Sequence, residues 1–235
     1  MAKYNFSTET AENYEQKCLC VLVLDTSGSM SGKPIAELNK GLVDFIEEID
    51  EDDTTRQRLE VALISFNSKV ELIQEPSLVE NIAIQELEAG GVTAMVAAIK
   101  DAIQLVDDRK SWYKSTGQKY YRPWIILMTD GEPTDAIEEI NSLSQRIKND
   151  TTNKRYVFLP IGVEGANMTI LKELQGTIPP MMLKGTRFSA FFKWLSASMG
   201  TVVKAEEGVQ VNLSAGADAW MDGFFDIKWF VLYKN

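Results

Sequence analysis

Histidine is absent from all 235 residues of the chain, and this absence excludes several kinds of active site. A Ser-His-Asp triad or a Cys-His pair needs an imidazole as its general base, so neither can be assembled within this chain. Zinc also loses its commonest nitrogen ligand. The composition therefore argues against triad-type hydrolases and against histidine-bound zinc.

Cysteine is almost as scarce, because Cys18 and Cys20 are the only two in the sequence. They lie two positions apart in an apolar run, so both side chains face the same side of a strand. A disulfide between such close neighbours could not stabilise a fold, and we expect two buried, reduced thiols. A C-x-C metal or redox site is the alternative.

Long apolar runs and an excess of positive charge are missing as well. No stretch approaches the ~18 consecutive apolar residues of a membrane-spanning helix, and the polar N-terminus lacks the apolar core of a signal peptide. The formal net charge is -10, which would repel the phosphates of nucleic acids and anionic lipids. We therefore expect a cytoplasmic protein that binds neither nucleic acid nor membranes.

Apolar segments of two kinds alternate along the chain. Residues 18–24 are apolar throughout and residues 124–129 are apolar up to Thr129, which is typical of central parallel strands covered on both faces. Between such runs, apolar residues recur at spacings of three and four and indicate helices. A turn at Asn67-Ser68 adds a hairpin. The pattern predicts an α/β fold: a Rossmann-like open, mostly parallel sheet with one antiparallel edge strand and helices on both faces.

The chain divides into three predicted parts. Residues 1–16 form an N-terminal arm, residues 17–204 the α/β domain, and residues 205–235 a C-terminal strand and an aromatic tail. The tail either packs on the domain or docks a partner, since exposed aromatic patches usually mark contacts. Its aromatic residues are Trp220, Phe224, Phe225, Trp229, Phe230 and Tyr233.

Three polar loops are predicted to meet at one edge of this sheet. They cover residues 25–29, 90–93 and 130–135, and in an open α/β sheet such loops line the ligand crevice. Thr134 or Asp135 is predicted to cap the helix that follows the third loop. The loops offer hydroxyl and carboxylate oxygens, which favour Mg²⁺, Mn²⁺ or Ca²⁺ over zinc or copper. The side chains in these loops that offer such oxygens include Asp25, Ser27, Ser29, Thr93 and Asp130.

These loops resemble the metal-ion-dependent adhesion site of von Willebrand factor A (VWA) domains. The D-x-S-x-S pattern stands as Asp25-Thr-Ser-Gly-Ser29, the family threonine as Thr93, and the distal aspartate as Asp130, all in family order. The resemblance implies the VWA fold, with Ser27, Ser29 and Thr93 binding the metal through their hydroxyls. It also implies that the aspartates act mostly through coordinated water and that a partner carboxylate fills a vacant position.

A finer resemblance is to bacterial tellurium-resistance-associated (TerY-type) VWA proteins. It is carried by Phe66-Asn67, by residues 130–135, by Leu183-Lys-Gly-x-x-Phe188 and by Trp194-Leu-Ser. This resemblance implies a stress-response system in which a kinase or phosphatase of the same gene cluster is the partner.

The sequence favours a metal-dependent protein-interaction module that is not an enzyme. Its partner would offer an Asp or Glu carboxylate to the bound metal. A metal-dependent hydrolase or phosphatase, in which the metal activates water, is one alternative. A scaffold with a vestigial metal site is another. Against catalysis, the site has few carboxylates and the sequence has no P-loop.

Overall fold

The computed structural model describes residues 3–130, 133–206, 210–213, 215–222 and 232–233. The strands are β1 Cys18–Asp25, β2 Leu59–Phe66, β3 Val70–Leu78, β4 Trp124–Thr129, β5 Val157–Gly162, β6 Met181–Leu183, β7 Gln210–Val211, β8 Met221–Asp222 and β9 Leu232–Tyr233. The helices are α1 Lys33–Asp50, α2 Asp53–Arg58, α3 Met95–Thr116, α4 Ile137–Thr152, α5 Met168–Glu173 and α6 Phe188–Lys204.

Seven of these strands form one open sheet in the order β3-β2-β1-β4-β5-β6-β8. Strands β2, β1, β4, β5 and β6 run parallel, and β3 is antiparallel at one edge, so the predicted mostly parallel α/β sheet is confirmed. The structure adds a second antiparallel edge strand, β8, beside β6. Strand β7 pairs separately with β9. Two-residue strands such as β7, β8 and β9 are too short to leave an alternating pattern in the sequence.

The central strand β1 is buried along its whole length, as its apolar sequence predicts. Cys18 and Cys20 are both buried free thiols on the same face of β1, which confirms that prediction. Burial raises the pKa of Cys18 to about 12 and raises that of Cys20 well above its ordinary value. Both thiols are therefore protonated and unreactive at neutral pH.

Helices cover both faces of the sheet and define two apolar cores. Helices α1 and α6 pack on one face, and α3, α4 and α5 on the other. Helices α1 and α6 approach closely at Gly41, where an added Cβ would lie 2.8 Å from the Phe192 ring and 3.2 Å from the Phe188 backbone. A larger residue at this position would push the two helices apart.

The described part of the N-terminal arm lies against α3. The backbone amides of Lys3 and Tyr4 donate to the Asp108 carboxylate at 3.0 and 2.9 Å, and the Tyr4 hydroxyl donates to Asp101 at 2.8 Å. Phe6 is buried in the core shared with α3. Residues 3–6 are thus held by specific polar bonds and by an apolar anchor.

The described part of the C-terminal region also packs on the domain. Trp220 is fully buried, and its ring lies 4.9 Å from that of Phe191 and 5.0 Å from that of Trp194. Phe224, Phe225, Trp229 and Phe230 of the predicted tail lie outside the described residues, and Tyr233 belongs to β9. Within the described ranges, no helix is both long enough and apolar enough to cross a membrane.

Candidate metal site

Two neighbouring strands bring two acidic residues to the same edge of the sheet. Asp25 is the last residue of β1, and Asp130 directly follows the last residue of the parallel strand β4. The register pairs Leu24 with Met128, so the two strands end side by side. Asp25 is fully buried and Asp130 is 8% exposed. The predicted convergence of these two loops is therefore present.

The Asp25 carboxylate is held in a fixed orientation. One oxygen accepts a 2.8 Å hydrogen bond from the Ser27 backbone amide, and the other accepts one of 2.5 Å from the Thr129 hydroxyl. Burial raises the pKa of Asp25, and the hydrogen bonds from Ser27 and Thr129 only partly oppose this rise. In the described ranges, no lysine or arginine forms an ion pair with it. The site thus contains a buried carboxylate without a cationic partner.

A hydrogen-bonded chain of side chains connects the first loop to the third. The hydroxyl oxygens of Ser27 and Ser29 lie 3.0 Å apart, and the Ser29 hydroxyl donates to Asp130 Oδ1 at 2.7 Å. Burial raises the pKa of Asp130, while the bond from Ser29 lowers it. Four of the five predicted site residues therefore form one cluster of oxygen atoms.

The second loop is joined to the first through its backbone. The Gly28 amide donates to the Gly91 carbonyl at 3.1 Å, and the Gly90 amide donates to the Thr26 carbonyl at 2.8 Å. Gly91 has a φ of +80°, and a Cβ there would collide with Ser68. Glycine is the residue that fits this backbone conformation and this close approach.

Thr93 is placed beside the cluster by its loop. The residue is 6% exposed, and its carbonyl accepts bonds from the Thr134 amide at 3.1 Å and the Thr134 hydroxyl at 3.2 Å. Among the described residues, the Thr93 hydroxyl makes no hydrogen bond to Ser29 or Asp130. Its position is compatible with the predicted role as a ligand, and that role stays a prediction.

Asp135 has a structural function that differs from the predicted one. The sequence predicts that Thr134 or Asp135 caps the following helix, but the N-cap residue of α4 is Ala136, which makes no side-chain cap. Asp135 Oδ2 instead accepts a 3.1 Å hydrogen bond from the Val96 amide in the first turn of α3. The carboxylate therefore satisfies a free amide of the helix next to it in space. Sequence spacing could not show which helix start lies nearest.

The donors at this site fit a hard divalent cation. Every group in the cluster is a hydroxyl or carboxylate oxygen, the type of ligand that Mg²⁺, Mn²⁺ and Ca²⁺ take. Among the residues that the structure describes, no lysine or arginine pairs with the two buried carboxylates. Burying their charge in this way is costly, and a bound cation would remove that cost. In the described part of the chain, no three Asp, Glu, Cys or His side chains form a metal-binding group. Serine and threonine hydroxyls would therefore have to complete the ligand set.

The open α/β sheet with this oxygen-rich edge is the architecture of a VWA domain. A family model described as the von Willebrand factor type A domain matches residues 20–191. The chain belongs to this family. It is also similar to an uncharacterized protein of Synechocystis, with 32% identity over 119 residues. That match covers 48% of this chain and 25% of the relative.

Similar solved structures include two bacterial pilus proteins and an archaeal protein. The PilB minor pilin of Streptococcus sanguinis has a TM-score of 0.56 at 16% identity, over 83% of this chain and 63% of that one. The vWF domain of the type V pili tip protein Mfa5 of Porphyromonas gingivalis has a TM-score of 0.57 at 11% identity, and the match covers 83% of this chain and 99% of that one. The ArnB paralog VWA2 of Sulfolobus acidocaldarius has a TM-score of 0.54 at 19% identity, and the match covers 79% of this chain and 46% of that one. At these identities the likeness concerns the fold alone, and this chain spans less than two thirds of PilB and VWA2.

Proposed function

We propose that this VWA domain is a metal-dependent protein-interaction module. Asp25, Ser27, Ser29, Thr93 and Asp130 would hold Mg²⁺, with Mn²⁺ or Ca²⁺ as alternatives, and an Asp or Glu carboxylate of the partner would complete the site. The observation that carries the proposal is the hydrogen-bonded chain from Ser27 through Ser29 to Asp130, which lies beside the buried Asp25.

Some residues at the site orient the Asp25 carboxylate, and others offer oxygen atoms to the metal. Thr129 and the Ser27 amide fix the Asp25 carboxylate. Ser27 and Ser29 retain acceptor lone pairs after donating their protons, so their oxygens can face a cation. Mg²⁺ takes about six oxygen ligands, and three hydroxyls supply half of them. Positions for water and for a partner carboxylate would therefore remain open.

We also propose that the domain does not catalyse a reaction. A general base within the chain would have to be something other than histidine. The carboxylates of Asp25 and Asp130 are engaged in hydrogen bonds to neighbouring side chains or backbone, which suits binding better than proton transfer. We expect no hydrolysis of phosphate esters, nucleotides or peptides above background.

The partner is proposed from the TerY-type resemblance of the sequence. A kinase or phosphatase of the same gene cluster, in a stress-response or tellurium-resistance system, would present the carboxylate. Capture from a lysate of the source organism tests this, with the immobilised domain in Mg²⁺ or in chelator. We expect a protein that is retained in Mg²⁺, is released by chelator and is not retained by a Thr93→Ala variant. Retention that is insensitive to chelator would contradict metal-mediated binding.

A further inference from the structure

A cleft of about 440 Å³ opens directly beside the candidate metal site. Its lining includes Thr26, which lies between Asp25 and Ser27, and Gly90, the first residue of the loop that ends at Thr93. The Gly90 amide donates to the Thr26 carbonyl at 2.8 Å, so this end of the cleft is fixed to the metal-site loops. A ligand held at the metal site would therefore reach the cleft with its neighbouring residues.

The floor of the cleft is buried and preformed. Ser65 and Leu87, each 7% exposed, lie on it. The Leu87 segment is fastened to α1, because the Asn39 side chain donates to the Leu87 carbonyl and accepts from the Leu87 amide, both at 2.9 Å. The Ser65 hydroxyl has no hydrogen-bond partner among the described residues, so an acceptor is left for an incoming donor.

The rim of the cleft is acidic. Glu71, Glu86 and Glu88 line it with exposed side chains, and the described lining contains no lysine or arginine. Ionised carboxylates can only accept hydrogen bonds, and the Ser65 hydroxyl oxygen on the floor of the cleft can accept one more. A ligand group that fits this lining carries several hydrogen-bond donors and a positive charge.

We infer that this cleft receives a lysine or arginine side chain of the partner, next to the partner's metal-binding carboxylate; the inference rests on the proposed function of the metal site. The net charge of -10 supports it independently. A purely acidic partner would be repelled at long range, whereas a basic residue beside the acid offsets that repulsion. The cleft therefore favours a partner segment in which a basic residue lies beside the acidic one over a segment with an acidic residue alone.

Short blocked peptides test this selection. In one set, a glutamate and an arginine are separated by one to four glycines, and in the matched set glutamine replaces the arginine. We expect the best arginine peptide to bind about tenfold tighter in Mg²⁺, since each exposed ion pair contributes only a few-fold. Nuclear magnetic resonance titration of the whole chain measures both affinities.

Variants of the chain test whether the cleft is the cause of the tighter binding of arginine peptides. The E71Q/E86Q/E88Q variant should lose most of the arginine advantage. It should bind the glutamine peptides at least as tightly as the wild type does, because fewer negative charges repel their glutamate. The control is E47Q/E51Q, which removes two exposed charges at the C-terminal end of α1 and at its C-cap, away from the cleft.

The possible outcomes separate this inference from the proposed function. Equal affinities for arginine and glutamine peptides in Mg²⁺ would overturn the inference and leave the metal site supported. An arginine advantage that persists in chelator would support the cleft and count against a metal bridge. Failure of both peptide sets to bind in Mg²⁺ would overturn both. Equal losses of the arginine advantage in E71Q/E86Q/E88Q and E47Q/E51Q would assign it to overall charge and overturn the inference.

Discussion

The Asp135 carboxylate accepts a 3.1 Å hydrogen bond from the backbone amide of Val96, in the first turn of α3. Because Val96 follows Thr93 by three residues, this bond ties the third loop of the site to the start of the helix after the second loop. Asp135→Ala should lower the free energy of unfolding by about 1 kcal/mol, the usual cost of losing a side-chain cap. Urea denaturation measures the change. Glu138→Ala, an exposed position in the first turn of α4, serves as the control, and an equal loss there would contradict the capping role.

No cation in the described part of the chain pairs with Asp130, and this predicts a stabilising substitution. Asp130→Asn keeps the oxygen that accepts from Ser29 and removes a buried charge whose pKa burial raises. In chelator at pH 7, this variant should be more stable than the wild type by up to about 1 kcal/mol. A carboxyl with a raised folded pKa stabilises the protein when protonated, and this contribution is lost as pH rises through that pKa. The advantage of Asp130→Asn should therefore shrink as the pH is lowered.

The same pKa shifts predict how metal binding depends on pH. Asp25 and Asp130 must be ionised to bind or orient a metal, and burial raises the pKa of both. Protons should therefore compete with Mg²⁺ at a higher pH than they would for exposed carboxylates. Calorimetric titrations from pH 8 down to the ordinary aspartate pKa of about 4 should show an affinity that falls as the solution becomes acidic. An affinity that stays constant down to that pH would show that neither carboxylate contributes.

A buried ion pair far from the site offers a stability test. Arg109 donates two hydrogen bonds of 2.9 Å to Glu60 and one of 2.5 Å to Glu9 of the arm, and its guanidinium stacks 4.1 Å from the Trp112 ring. Arg109→Met should cost roughly 3 to 5 kcal/mol, because Glu60 keeps its charge without its partner. The R109M/E60Q double variant should recover part of this loss. A double variant no more stable than R109M would show that the cost lies in packing instead.

The strand ends and the order of the motifs predicted most of the site from the sequence. Asp25, Ser27, Ser29 and Asp130 meet because their loops follow or adjoin parallel strands, and parallel strands end at one edge. The orientation of the Thr93 hydroxyl could not be predicted in this way. It depends on a loop whose path is fixed by contacts of its glycines with Thr26, Gly28 and Ser68.

Contacts between distant parts of the chain account for what the sequence left open in the fold. The sequence predicts only an N-terminal arm over residues 1–16, whereas Tyr4 of this arm bonds to Asp101 and Asp108, about 100 residues away. A carboxylate on a helix and a free amide in an arm leave no periodic signal. Strand β8 similarly exists through its pairing with β6, and its two residues have no detectable alternation.

Melting curves with and without Mg²⁺ test metal binding at this site most directly. A ligand that binds the folded state alone stabilises it by about 2.7 kcal/mol at 100 times its Kd, which is roughly 5 to 10 °C for a domain of this size. The wild type and Ser31→Ala, an exposed neighbour, should show this shift. Ser29→Ala and Asp130→Asn should show little or none. Equal shifts in all four proteins would mean that the metal binds elsewhere, and no shift in any of them would mean that the cluster does not bind metal.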